Sequence, residues 1–337
     1  MIGIYVICFI VFPISVFIDC QKACSVKGLL NREDANVVKG IATCFVILAH
    51  LTIQLENVDE YSRFLYIFSQ TGGMGVLLFF FISGYGLYKN YKTIELDITF
   101  WKKRLLNMYL PCVIIQFIFC LVTAVMYQKF NIYSVVFNSL FEAWFVDVIL
   151  VQYTIFFVTG KIAKGKSDKW IILSFLWSII AALIFWMCGL NARWYNGLLL
   201  FPFGMLIAHK EEKILVTIKQ KAVLLFAISI ILFVISGAIF ACFKGNTVGI
   251  DIVKTFSGMC LCMVICIAFS QVKFGSRIML YMGKRSLYFY LVHINLLTIL
   301  GSVGEIEKIA VFYMVLLLTF PIVEIFYRLR LKQKNKL

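Results

Sequence analysis

The sequence predicts an all-α, polytopic helical membrane protein of about ten core spans plus one leading N-terminal span. Three observations carry this. Hydrophobic residues make up 62% of the 337-residue chain and charged residues only 15%, against roughly 45–50% and about 25% in soluble domains. The mean hydropathy is +0.94. The apolar residues come in blocks near the ~20 needed to cross a bilayer as a helix, separated by loops too short to fold alone. A soluble enzyme and a disordered chain are both excluded, because neither could hide this much apolar surface.

Eleven apolar segments can be traced: 2–18, 37–55, 64–88, 105–127, 142–160, 170–188, 195–209, 222–242, 249–270, 286–303 and 308–327. Helices satisfy the backbone internally where no water is present, so each segment is read as a helix. The segments divide the chain into a leading helix and loop (1–36), a membrane domain (37–327) and a basic tail (328–337). Residues 1–18 have no basic start and no A-x-A site, so a cleaved signal peptide is not expected.

Lys+Arg total 32 against 17 Asp+Glu, a net charge of +15. Nearly all the cations fall in alternate loops, among them Lys22 and Lys27, Lys102 to Arg104, Lys161 to Lys169, Lys210 to Lys221, Lys273 to Arg285 and the tail from Arg328. The other loops hold only Arg63, Lys129, Arg193, Lys244 and Lys308, and Lys254 lies inside a segment. The positive-inside rule puts the basic side in the cytoplasm, with the N-terminus outside and the C-terminus inside. The excess charge is then a topology signal that needs no nucleic-acid partner. The cysteines sit mostly in apolar stretches, and Cys260, Cys262 and Cys266 lack a His at zinc spacing, so no metal site is expected.

Ionisable residues inside spans are costly and mark functional positions. Lys39 and His50 are eleven residues apart in KGIATCFVILAH, which puts them on one helix face, roughly 16 Å apart along the axis. His50 is the candidate base, since a near-neutral imidazole can take a hydroxyl proton. His293, in SLYFYLVH, serves either substrate or a helix–helix hydrogen bond. Gly72, Gly73 and Gly75 serve either close packing or a thinned helix that substrate can approach. Lys102, Lys103 and Arg104 are either a membrane-surface signal or a dock for a phosphate-bearing cosubstrate. Around FEAWFVDVILVQY, Glu142 and Asp147 either bind acceptor hydroxyls or are simply interfacial, and Trp144 is a further candidate acceptor contact. Asp251 is expected to pair with Lys254, Glu324 with Arg328, and His209 to be solvated at a helix end.

Together these pieces resemble acyltransferase family 3, integral membrane acyltransferases that decorate bacterial surface carbohydrates. Lys39 and His50 match its basic residue, ten positions, then His; GVLLFFFISGYGLY (75–88) resembles its next helix. GKRSLYFYLVH (283–293) and RWYNGLLLFPFGMLIAH (193–209) resemble two later stretches. Arg104 matches the first of an arginine pair in the family, Asn107 stands where the second would be, and Pro111 is one residue late. The resemblance implies transfer of an acyl group, usually acetyl, from cytoplasmic acyl-CoA to a hydroxyl of a surface carbohydrate outside. It also implies the bacterial plasma membrane as location. Lys39, Lys103, Arg104 and Asn107 would hold the acyl-CoA, a cosubstrate, with no permanently bound cofactor. Glu142, Trp144 and His293 would hold the acceptor. The competing reading is a transporter or flippase of a lipid-linked sugar or anionic solute. Against it stand the missing internal repeat and the one-sided Lys39–His50 stripe.

The charge pattern makes a topology prediction. Cys24 should react with thiol reagents only from the cytoplasmic side, and loop 56–63 should be reachable from outside. Labelling that finds Cys24 outside inverts the orientation.

Overall fold

A computed structural model describes residues 1–22, 28–55, 62–91, 96–128, 131–141, 143–242, 248–302 and 307–334. Glu142, Cys24 and residues 56–61 lie outside the described residues. The described chain is helical throughout apart from turns and a two-stranded antiparallel ribbon, β1 (Gln21–Lys22) paired with β2 (Val272–Lys273). Its helices are α1 (Ile2–Phe17), α2 (Arg32–Gln54), α3 (Ser62–Ser69), α4 (Thr71–Tyr91), α5 (Ile98–Met126), α6 (Ile132–Phe141) and α7 (Trp144–Ala163). They continue with α8 (Ser167–Met187), α9 (Leu200–His209), α10 (Glu211–Cys242), α11 (Val248–Gln271), α12 (Arg277–Lys284), α13 (Ser286–Gly301) and α14 (Lys308–Lys334).

Among the described residues, eight helical stretches are long and apolar enough to cross a membrane. Three shorter apolar helices, α1, α9 and α13, stand at the remaining traced segments. The chain is thus a multi-pass helical membrane protein. α6 is an added helix that the hydropathy trace did not separate.

α2 is the hub. Its apolar window is 67% buried, against 6% for α10. α10 presents Val223, Leu224, Ile231 and Val234 outward, a surface suited to lipid tails. Between helices in a bilayer there is no hydrophobic drive, so packing rests on close approach through small residues. Gly40 of α2 lies against the Met279 carbonyl of α12, and Gly283 of α12 against the Asn36 carbonyl of α2. Gly84 of α4 faces the Phe201 carbonyl of α9, and Gly204 of α9 faces the Phe81 carbonyl of α4. A Cβ at any of the four would strike backbone, which cannot swing away.

Local chemistry sets where the elements start and bend. Asn31 caps α2 by accepting from the Glu33 and Asp34 amides at 2.7 and 2.9 Å, while Asp34 Oδ2 accepts from the Asn31 amide at 3.0 Å. This capping box fixes the turn from which Lys39 projects. Pro13 and Pro111 each follow a single π-helical turn, Ile7–Val11 and Leu105–Tyr109. Proline removes one backbone donor and crowds the preceding turn, and the wider π turn absorbs that mismatch.

Two expected ion pairs part company. Glu324 Oε1 accepts from Arg328 Nε at 2.7 Å. Asp251 does not pair with Lys254: its Oδ1 accepts from Asn196 Nδ2 at 2.8 Å instead. The reason is tertiary, since the turn before α9 brings a buried amide to the carboxylate.

Gly84→Ala should lower the Tm in detergent by the equivalent of about 1–3 kcal/mol, because overpacking here pushes on backbone. Gly237→Ala on α10, where a Cβ meets nothing within 4 Å, should leave it unchanged or raise it. Thermal size-exclusion profiles of the two variants check this, and equal shifts would refute the backbone-contact account.

Candidate active site

The two ends of α2 open into two different spaces. At its N-terminal end a cavity of about 1130 Å³ is lined by Arg32, Lys39, Lys89 and Lys284, together with Asn36, Asn90, Tyr85 and Tyr327. Glu33 also borders it. Lys89 is matched by Glu211 at 2.9 Å, which also accepts from Tyr85 Oη and the Leu29 amide, each at 2.7 Å. Arg32, Lys39 and Lys284 make no ion pair among the described residues. With Glu33 the one carboxylate among the described residues of a wall that carries four cations, the cavity has a net positive lining.

At the other end, His50 meets His293. His50 Nδ1 lies 2.9 Å from His293 Nε2, with the ring planes 16° apart, so the bond runs close to the plane of both rings. His293 is fully buried, and its Nδ1 is 2.6 Å from the Phe289 carbonyl one turn earlier on α13. A carbonyl only accepts, so His293 Nδ1 carries the proton and, in the neutral ring, Nε2 is an acceptor. His50 must therefore donate through Nδ1, which leaves the lone pair on His50 Nε2. The chain Phe289 carbonyl, His293, His50 thus fixes a tautomer that hydrogen positions alone would leave open.

His50 borders a pocket of about 210 Å³ with Trp144, Arg193, Asn196, Gly197, Lys254 and Tyr290. Gly72 and Gly73 line the same pocket, and a Cβ on Gly73 would come 3.3 Å from Lys254 Nζ. Gly72 is a close-packing position, a Cβ there coming 2.8 Å from Ala49 Cβ, and the helix runs unbroken through the three glycines. The turn ahead of α9 is held by Asn191, whose Oδ1 accepts from the Arg193 amide at 3.1 Å. Gln152 Nε2 also donates to the Leu198 carbonyl at 2.8 Å. This turn carries Arg193 and Asn196 to the pocket wall.

The residues singled out from the sequence divide accordingly. Lys39 lines the large cavity, while His50 and Trp144 line the small pocket. His293 is bonded to His50 and is not among the residues that line the pocket. Lys103 is exposed and borders neither space. Arg104 lies over Phe100 at 4.3 Å, with Tyr91 and Tyr153 rings also within 5.7 Å, and is not part of the large cavity. Asn107 accepts from Arg330 Nη2 at 2.7 Å, so α14 brings an arginine to the place where Asn107 stands on α5. His209 is bound between Tyr88 Oη at 2.9 Å and Asp168 at 3.1 Å, a fixed link between α4, α8 and α9 and not a freely solvated end.

Sequence reasoning missed Arg193, Asn196 and Lys254 as pocket residues. Arg193 and Lys254 did carry a signal: they are among the few cations that break the loop charge pattern.

The family model for the acyltransferase domain matches residues 32–328. No curated protein matches the chain, and no solved structure does either.

His293→Leu removes the acceptor for His50 Nδ1–H and frees the ring to turn. It should lower kcat by roughly 10²-fold, the lower range of general-base contributions, with KM for the acyl donor unchanged. His293→Gln, which keeps an acceptor oxygen, should recover part of the loss. Equal activity of the Leu and Gln variants would show that the hydrogen bond does not position His50.

Proposed function

The chain belongs to the acyltransferase-domain family, whose match spans nearly its whole length, and on that premise we propose that this membrane acyltransferase is an O-acetyltransferase. It moves an acyl group from cytoplasmic acyl-CoA to a hydroxyl of a surface or exported carbohydrate. The observation that carries the reading is the position of His50. His50, with Nε2 left as the acceptor nitrogen, lines the small pocket at one end of α2, while the Lys39 cavity opens at the other. A reaction with a large anionic donor on one side and a small acceptor on the other uses both.

In this reading the phosphates of acyl-CoA sit among Arg32, Lys39 and Lys284, and the pantetheine arm carries the thioester along α2 toward His50. The acceptor hydroxyl enters the small pocket. His50 Nε2 takes its proton as the oxygen attacks the thioester carbonyl and the new C–O bond forms. His293 steadies the imidazolium by accepting from Nδ1–H. The C–S bond then breaks, and the leaving thiolate takes the proton from His50, releasing CoA-SH and the ester. Transfer needs no acyl-enzyme if both substrates reach the pocket together. The orientation follows the charge pattern: basic cavity inside, small pocket outside, in a bacterial plasma membrane.

Acetyl-CoA turnover in washed membranes tests the reading. His50→Ala should insert normally and lose transfer, and near-wild-type turnover in that variant would remove His50 as the base. Lys39→Gln should raise KM for acetyl-CoA roughly fivefold, the equivalent of about 1 kcal/mol from one ionic contact, and spare kcat. The effect should shrink at high salt, and Lys39→Arg should be milder. A fall in kcat at unchanged KM would move Lys39 from donor capture into the reaction.

A further inference from the structure

Resting on this transferase reading, we propose that the acceptor at the His50 pocket is an anionic sugar. Arg193 and Lys254 hold its carboxylate or phosphoryl group, and Asn196 holds one of its hydroxyls.

Three observations carry the assignment. First, the pocket wall contains two cations besides His50 and, among the described residues, no carboxylate. Arg193 lies over the Trp144 ring at 5.7 Å and Lys254 over the Phe240 ring at 5.6 Å. Neither makes an ion pair among the described residues. Asp251, one turn before Lys254 on α11, lies within electrostatic reach but binds the Asn196 amide. Asp251 is thus a partial counter-charge for Lys254, and the two wall cations outnumber it; excess positive charge in a membrane domain is expensive, and an incoming anion offsets it.

Second, Asn196 is only 6% exposed, and its Oδ1 is buried without a hydrogen-bond partner. Its other groups are fixed: Nδ2 donates to Asp251 at 2.8 Å, and its carbonyl accepts from Thr255 Oγ1 at 2.9 Å. The carboxylate dictates which way the amide is turned, so Oδ1 is the atom left over. A buried acceptor without a donor costs stability until one arrives, and a hydroxyl entering the pocket is such a donor.

Third, the space is small. At about 210 Å³ it is below the ~300 Å³ at which drug-sized pockets begin, so it suits a single ring. Trp144 supplies a flat face for that ring, as an amphipathic aromatic does for a sugar. Two cations, one hydroxyl acceptor, one aromatic face and one base together match a monosaccharide that bears both an anion and the hydroxyl to be acylated.

Saturation-transfer NMR titration of the purified full chain in detergent at low salt tests this with three probes: methyl glucoside, methyl glucuronide and glucose 6-phosphate. At least one anionic probe should bind tenfold or more tightly than the neutral glucoside, which is the worth of one charge-assisted contact. Tighter glucuronide binding identifies a uronic-acid type of acceptor, and tighter glucose 6-phosphate binding a phosphosugar. Arg193→Gln and Lys254→Met should each reduce the preference several-fold, while Lys254→Arg should keep most of it. Asn196→Leu should weaken all three probes alike. Equal binding of neutral and anionic probes, binding of none, or a preference that survives both charge removals overturns the proposal. Release of CoA-SH is read separately. Anion-selective binding without any acyl transfer sinks the transferase reading alone, whereas transfer to neutral and acidic sugars at equal rates sinks this inference alone.

Discussion

Backbone-to-backbone contact around α2 holds the bundle together. Inside a bilayer, lipid is as apolar as the side chains it would replace, so helices gain from each other mainly by fitting closely. Here the fit is made at glycines that let α2 and α12 touch at Gly40–Met279 and Gly283–Asn36. α4 joins α2 at Gly75, where a Cβ would lie 2.5 Å from the Ala42 carbonyl. With α2 gripped from two sides, Lys39 and His50 are fixed at opposite ends of one rigid rod. A site built on such an element keeps its geometry better than one built on loops.

The same dry surroundings explain the histidine pair. A buried imidazole has one donor and one acceptor to satisfy, and in hydrocarbon each unsatisfied polar group costs several kcal/mol. His293 meets the demand with the Phe289 carbonyl on one side and His50 on the other. The hydrogen-bond requirement therefore also selects a tautomer, in which Nε2 is the acceptor nitrogen of a His50 that lines the pocket. Other buried polar groups link helices by hydrogen bonds: Gln116 with Asn295 at 2.5 Å, and Gln152 with Ser178 at 3.3 Å and with the Leu198 carbonyl.

Charge is handled differently at the two ends. Near the large cavity, Glu211 neutralises Lys89, and Arg285 is bound to Glu324 at 2.9 Å between the rings of Tyr281 and Tyr327. These pairs leave Arg32, Lys39 and Lys284 as the cations open to a ligand. Near the small pocket, Asp251 accepts from Asn196 and makes no ion pair with Lys254 among the described residues. On the walls of both spaces the cations outnumber the carboxylates.

Composition and hydropathy by themselves determined the membrane class and helical architecture, since continuous apolar blocks near 20 residues fit a spanning helix and lack the alternation of a barrel strand. The spacing of Lys39 and His50 determined that they share a face, because the helical repeat is fixed by backbone geometry. The motifs around them were enough to suggest the family. Tertiary structure decided which residues meet across helices. His50 and His293 are 243 positions apart, and nothing in the spacing of either says that the second positions the first. Arg193, Asn196 and Lys254 converge only because the turn before α9 folds against α11, and that approach also took Asp251 from the lysine three residues away. Pairing along one helix can be read from periodicity. Pairing between helices depends on where side chains of distant segments are brought, and a single sequence does not encode that in any local pattern.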